Sequence, residues 1–321
     1  MVGFSFSIVT CWTALGGVLT VGITSGGPPV MVYSWLGVSA FSLLVAYSFA
    51  EMCSAYPSAG GQYSWMAILA PPRIARLLSY VTGWFMLTGI IAMGATNNFI
   101  GANFVLGMAN LNNPNYVIER WHTVLVTYLI ALVAAASNVT LSRHFEKLST
   151  STGVPLIQIL YDSTGSIGAP TWLATMIAVI VLVCANSLMA EGSHSLYAFA
   201  RDRGLPFPSL FSAVDKRTHV PIYSILLCTG VQMALNSIYF ASYEGFSTVI
   251  SIATFGFYLS YAMPLFVRLL LYFTTGRHAT IHGTSYSLGR WGLWINAGGL
   301  LFLLFACVDF NFPPGRPRYR R

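Results

Sequence analysis

Charge is what this sequence has least of. Asp, Glu, Lys and Arg make up 8% of its 321 residues, against about a quarter in an ordinary soluble domain. Residues 1–50, 77–118, 123–142, 163–190, 220–243, 245–267 and 291–308 carry none. Each run is rich in Leu, Ile, Val, Phe, Ala and Gly, and each is long enough for the roughly 20 residues that take a helix across about 30 Å of hydrocarbon. Such runs exclude a soluble globular fold and predict an all-α class, a polytopic transmembrane helical bundle.

Other scarcities narrow the chemistry. The five cysteines (Cys11, Cys53, Cys184, Cys228, Cys307) are isolated and odd in number, which excludes a disulfide framework and suggests packing roles. His278 and His282 lie four apart in a Gly/Thr-rich loop without a further ligand, so no metal is expected. There is no HExxH helix, no glycine-rich phosphate loop before a helix, no paired midplane carboxylates and no nucleophile beside a base. The sequence therefore reads as that of a non-enzyme without a cofactor. No basic segment precedes the first apolar run, which argues against a cleaved signal peptide. One glycosylation sequon, Asn138-Val139-Thr140, falls in or at the end of a span and reads as coincidental.

What is present is a series of about eight spans. Residues 1–50 are twice one span and are interrupted by Ser25-Gly26-Gly27-Pro28-Pro29, which predicts two helices joined by a tight turn. The spans run roughly over 4–24, 30–50, 79–106, 121–141, 172–193, 220–240, 246–267 and 291–311. The net charge of +7 belongs to the short loops between them, where basic residues set topology rather than bind nucleic acid.

The positive-inside rule gives each half a consistent orientation. Arg73 and Arg76 place the loop after the second span in the cytoplasm, and Arg143 and Lys147 do so after the fourth. In the second half Arg201, Arg203, Lys216 and Arg217 form one basic loop and Arg268, Arg277 and Arg290 another. Those loops belong inside if residues 151–171, with Asp162 and no Lys or Arg, lie outside. Lys147 inside and residue 151 outside cannot be joined by so few residues. An odd number of spans is missing, or else one weak span such as 121–141 fails to insert.

Several segments resemble one family in order along the chain. SGGPPVMVYSW (25–35), AEMCSAYPSAGGQYSW (50–65) and LAPPRIARLLSYVTGW (69–84) are similar to the first three helices of fungal choline and GABA permeases. STGVPLIQILYDSTGS (151–166), SLYAFARDRGLPF (195–207), HVPIYSILL (219–227) and SLGRWGLWINAGGLLFLLF (287–305) look like the later ones. The resemblance is to the amino acid-polyamine-organocation superfamily. It implies an incomplete LeuT-type inverted-repeat fold in which residues 1–150 correspond to family spans one to four. Residues 151–312 correspond to spans eight to eleven, and 313–321 form a basic tail. Spans five to seven and twelve then have no counterpart.

The same resemblance implies a secondary transporter of amino acids or small amines (choline, GABA, polyamine). It further implies possible H+ coupling, the lipid bilayer as partner, and residence in the plasma or vacuolar membrane. The missing span six would carry half the family's binding site, so little transport is expected of this chain alone. The alternative is a non-transporting truncated membrane polypeptide or an accessory subunit of an intact permease.

Candidate binding residues follow from where helices are weak or polar. Gly16 and Gly17, with Thr13 nearby, sit midway along the first span. Each Gly costs about 1 kcal/mol against Ala in a helix, so the pair invites a break that exposes backbone to substrate; otherwise it lets a neighbouring helix approach. Asn97 and Asn98 are adjacent amides near the centre of the third span, with Asn98 on the face of Gly94 and Ala102. They line a polar cavity or hydrogen-bond across helices. Trp12, Trp84 and Phe85 offer π-faces to an ammonium group. Glu51 and Glu191 are expected near the inner ends of their spans. With Gly60, Gly61, Arg201 and Asp202 they form the candidate cytoplasmic loop or gate.

Overall fold

A computed structural model describes residues 11–113, 115–145, 168–215, 220–275 and 286–309. Among them there are helices and no strands. The elements are α1 (Cys11–Ala55), α2 (Gln62–Leu69), α3 (Ala75–Asn112), α4 (Arg120–Phe145) and α5 (Gly168–Arg201). The short α6 (Pro208–Phe211), α7 (Ile222–Ala241), α8 (Tyr243–Thr275), a 3-10 turn (Gly289–Trp291) and α9 (Gly292–Asp309) follow. Seven helices of the described residues are long and apolar enough to cross a membrane: Val32–Ala55, Ala75–Asn110, Arg120–Val139, Val179–Arg201, Ile222–Ala241, Glu244–Thr274 and Gly292–Asp309.

The turn expected at Ser25–Pro29 is absent. The backbone is helical without interruption from Cys11 to Ala55, about 67 Å at 1.5 Å per residue. Each proline withholds one helical N–H at a cost of about 3 kcal/mol, yet neither breaks the helix. The chain divides into two compact units, and one division falls between Val32 and Tyr33, within α1. The junction near Ser149-Thr150-Ser151, the segment as far as Ile167, the histidines His278 and His282, and the basic tail lie outside the described residues.

The first unit takes in residues 1–32 and 90–250. In it α4, α5 and α7 pack against one another, through small and branched side chains such as Val124, Ala131, Ala134, Val181, Ala185, Leu188 and Ile225. Lipid-immersed helices associate through this kind of close backbone approach. Among these residues Asn138 is buried at 6% exposure. Its Nδ2 donates to the backbone oxygen of Asn186 at 3.0 Å and to Asn186 Oδ1 at 2.8 Å. The sequon nitrogen is thus already engaged, and we expect glycosidase treatment to leave the mobility of the expressed protein unchanged. Asn138→Ala should lower stability by about 1–3 kcal/mol, the cost of stranding the Asn186 amide, read by thermal unfolding in detergent.

The second unit takes in residues 33–89 and 251–321. One cluster joins Met52, Trp65, Met66, Leu69, Ala70, Ala75 and Val267, and another joins Val45, Ala262, Leu265, Leu300 and Leu303. Gly299 lies against α1 so closely that an added Cβ would stand 3.3 Å from the Val45 nitrogen.

Candidate functional site

In the second unit an ion pair is buried where three helices meet. Glu51, at 3% exposure, lies four residues before the end of α1; Arg268, at 7%, lies in the last third of α8. Arg268 Nη2 donates to Glu51 Oε2 at 2.6 Å, and its Nη1 donates to Asn296 Oδ1 of α9 at 3.4 Å. The other carboxylate oxygen, Oε1, accepts from the Ser287 hydroxyl at 3.3 Å and the Leu288 N–H at 3.1 Å. Every oxygen of the carboxylate therefore has a donor, which is the condition for keeping such a pair out of water. Arg268 was expected in a basic loop with Arg277 and Arg290. The structure instead continues α8 past it to Thr275, and its charge is spent on Glu51.

The turn between α1 and α2 follows from its glycines. Gly61 has φ +59° and caps α2, a conformation open to glycine. A Cβ on buried Gly60 would stand 2.1 Å from Ser64 Oγ. Trp65 Nε1 reaches back to the Tyr56 carbonyl at 2.9 Å and closes the loop.

In the first unit the adjacent amides make bonds across helices. Asn98 is 1% exposed and its Nδ2 donates to Gln232 Oε1 of α7 at 3.1 Å; Asn97 Nδ2 donates to the Val181 carbonyl of α5 at 3.4 Å. Gly94 makes room for the partner, since a Cβ there would stand 2.3 Å from Gln232 Nε2. Asn236, one turn beyond Gln232, is also 1% exposed. Thr13, Gly16 and Gly17 lie in the helical backbone of α1, with no break at the glycine pair; their side-chain surroundings lie outside the described residues, as do those of Trp12.

The remaining candidates are dispersed. Glu191 was expected near an inner span end, but α5 runs on to Arg201, ten residues or about 15 Å farther. Its carboxylate is half-buried, and no hydrogen bond or ion pair reaches it among the described residues. Arg201 and Asp202 pair at 3.4 Å on the surface, both well exposed, where such a pair contributes little. Phe85 packs on Gly256, and Trp84 is 37% exposed beside Tyr80. Cys184, Cys228 and Cys307 are buried, whereas Cys53 is exposed. No cluster of three metal-ligating side chains exists among the described residues.

A family model described as amino acid permease matches residues 2–157 and 144–320. The chain belongs to the amino acid permease family. A putative amino acid/polyamine transporter of Macrophomina phaseolina is 45% identical over 429 aligned positions, which take in 99% of this chain and 94% of that protein. The choline transporter of Saccharomyces cerevisiae is 23% identical over 430 positions, covering 99% and 75% of the two chains. Amino-acid permease BAT1 of Arabidopsis thaliana is 24% identical over 442 positions, covering 98% and 84%. Family membership and seven crossing helices make this permease an integral membrane protein, and the family is one of transporters rather than enzymes.

Three polar residues of this permease, Gln232, Asn236 and Asn296, escaped the sequence reading, and Arg268 was read as a loop residue. The signal for the first two was present, as amides four apart on one face of an otherwise apolar span. For Arg268 the signal was the apolar Leu269-Leu270-Leu271 that follows it.

Proposed function

We propose that this chain is a permease polypeptide for amino acids or small amines that lacks an internal block corresponding to family spans five to seven, and that it transports little by itself. The observation that carries the reading is the family match in two pieces that overlap at residues 144–157, where the loop charges also favour missing spans over simple threading. The alignments to relatives support it. They run over 429 to 442 positions for a chain of 321 residues, an excess large enough for three spans at roughly 20 residues each with their loops. Substrate class comes from the relatives' own descriptions, which name amino acids, polyamines and choline.

In this reading Thr13, Gly16, Gly17, Asn97 and Asn98 supply the retained half of the substrate site. Glu51, Gly60, Gly61, Glu191, Arg201 and Asp202 belong to the cytoplasmic loops and gate, and coupling to H+ follows the family pattern. Residues 1–150 and 151–312 are the two retained blocks.

Uptake decides it. Proteoliposomes holding this chain should accumulate choline, GABA or polyamine at background rates. A chimera carrying the corresponding residues of the Macrophomina relative between Lys147 and Pro155 should transport well above background. Robust uptake by the unmodified chain would sink the proposal.

A further inference from the structure

The amide cluster of the first unit has one acceptor too many. Gln232 Oε1 is taken by Asn98 Nδ2, and Asn236 Nδ2 donates to the Gln232 backbone carbonyl at 2.9 Å. That bond turns the nitrogen of Asn236 toward its own helix and its carbonyl oxygen away. Asn236 Oδ1 is then the one buried side-chain N or O atom without a partner among the described residues. A stranded acceptor costs about 1–3 kcal/mol, and native proteins rarely keep one unless a donor belongs there.

The surroundings indicate what kind of donor. One turn beyond Asn236, the Tyr239 ring lies 4.8 Å from Phe99 and 6.0 Å from Phe246, and Phe99 lies 4.8 Å from Phe246. Tyr239 lies three residues after Asn236 on one face of α7, which sets the aromatic trio beside the Asn236 amide. Carbonyl oxygens and π-faces both favour positive charge. None of the six residues carries a charge of its own.

We propose that Asn98, Gln232 and Asn236 form a binding site for the protonated head of a small amine, with Asn236 Oδ1 as its acceptor and Phe99, Tyr239 and Phe246 as its aromatic wall. The choice of an amine rests on the permease reading above. The test measures equilibrium binding, not uptake, so the two fail separately.

The experiment uses the full chain in lipid nanodiscs with radiolabelled methylammonium as probe. Saturable binding is expected. Asn236→Leu should weaken it roughly ten- to hundredfold, the loss of one hydrogen bond to a charged group, and Phe99→Leu should weaken it by a smaller factor. Without ligand, Asn236→Leu should unfold at the same or a higher temperature than the wild type, because it removes the stranded oxygen. No saturable binding by folded wild-type protein overturns the proposal, as does binding unchanged by Asn236→Leu. A lowered unfolding temperature for that variant marks a structural asparagine and overturns it as well. Competition by methanol or urea as strong as by unlabelled methylammonium would mark a site for neutral donors and reject the cation.

Discussion

Replacing Glu51 by alanine is expected to destabilise the protein by about 3–5 kcal/mol, because it leaves the Arg268 guanidinium buried and without its counter-charge. The loss is larger than for a surface pair because Glu51 and Arg268 are nearly inaccessible and three elements converge on them. Arg268→Ala should cost a similar amount, since the carboxylate then keeps only Ser287 Oγ and the Leu288 N–H as donors. Arg268→Lys should fall between, because an ammonium is a point charge that cannot span Glu51 and Asn296 as the planar guanidinium does. Glu51→Leu combined with Arg268→Met should recover most of the loss, as apolar replacement of a whole buried pair is often neutral. Equilibrium unfolding in mixed micelles measures all four. A loss under about 1 kcal/mol for Glu51→Ala would show that water reaches the pair and screens it.

That pair also shows where sequence reading stops. The helical membrane class was legible because apolar runs of span length have few alternatives in physics. Helix ends were not, because where a helix stops is set by contacts made elsewhere in the fold and not by where its apolar stretch ends. Within α8 the charge of Arg268 is neutralised across 217 positions of sequence, and within α5 the Ser193 hydroxyl donates to the Ala190 carbonyl. A span bounded by the first charge or polar cluster is therefore shorter than the helix in both places, since α5 runs to Arg201 and α8 to Thr275. The glycine pair at 16 and 17 suggested a break, yet intrinsic propensity of about 1 kcal/mol per residue is a weak prior that helical context overrides.

The candidate site was half legible for the same reason. Asn97 and Asn98 announced themselves as amides in an apolar helix. The identity of their partners did not follow, because Gln232 lies 134 positions away and nothing in a periodic pattern says which distant face it meets. The turn at Gly60 and Gly61 lay at the other extreme. Gly61 is required locally by its positive φ, and Gly60 lies against the Ser64 and Tyr63 side chains; local requirements are what a sequence displays most openly.

A close local fit likewise governs the second large effect, at Gly89. A Cβ at this position would stand 2.3 Å from Phe257 Cβ, and Phe85 on the same helix lies 3.0 Å from a Cβ on Gly256, so each helix seats a phenylalanine of the other. Phe257 has little room to retreat, because its ring packs edge-on against Tyr261, which packs in turn on Phe49. Gly89→Val should therefore cost about 1–3 kcal/mol by overpacking. A residue with better helix propensity recovers at most about 1 kcal/mol of that. Phe257→Ala also costs stability alone, but it removes the ring atoms that stand 2.6 and 2.7 Å from the added Cβ while keeping the Phe257 Cβ, so in the double variant the overpacking is relieved in part. The double variant should thus be more stable than the sum of the two single losses, with a coupling of about 0.5–3 kcal/mol. Gly230→Ala serves as control: nothing lies within 4 Å of a Cβ there, so this change should raise stability by about 0.5–1 kcal/mol. Additive losses for Gly89→Val and Phe257→Ala would mean that α3 and α8 separate without resistance, and that the two glycines do not set their distance.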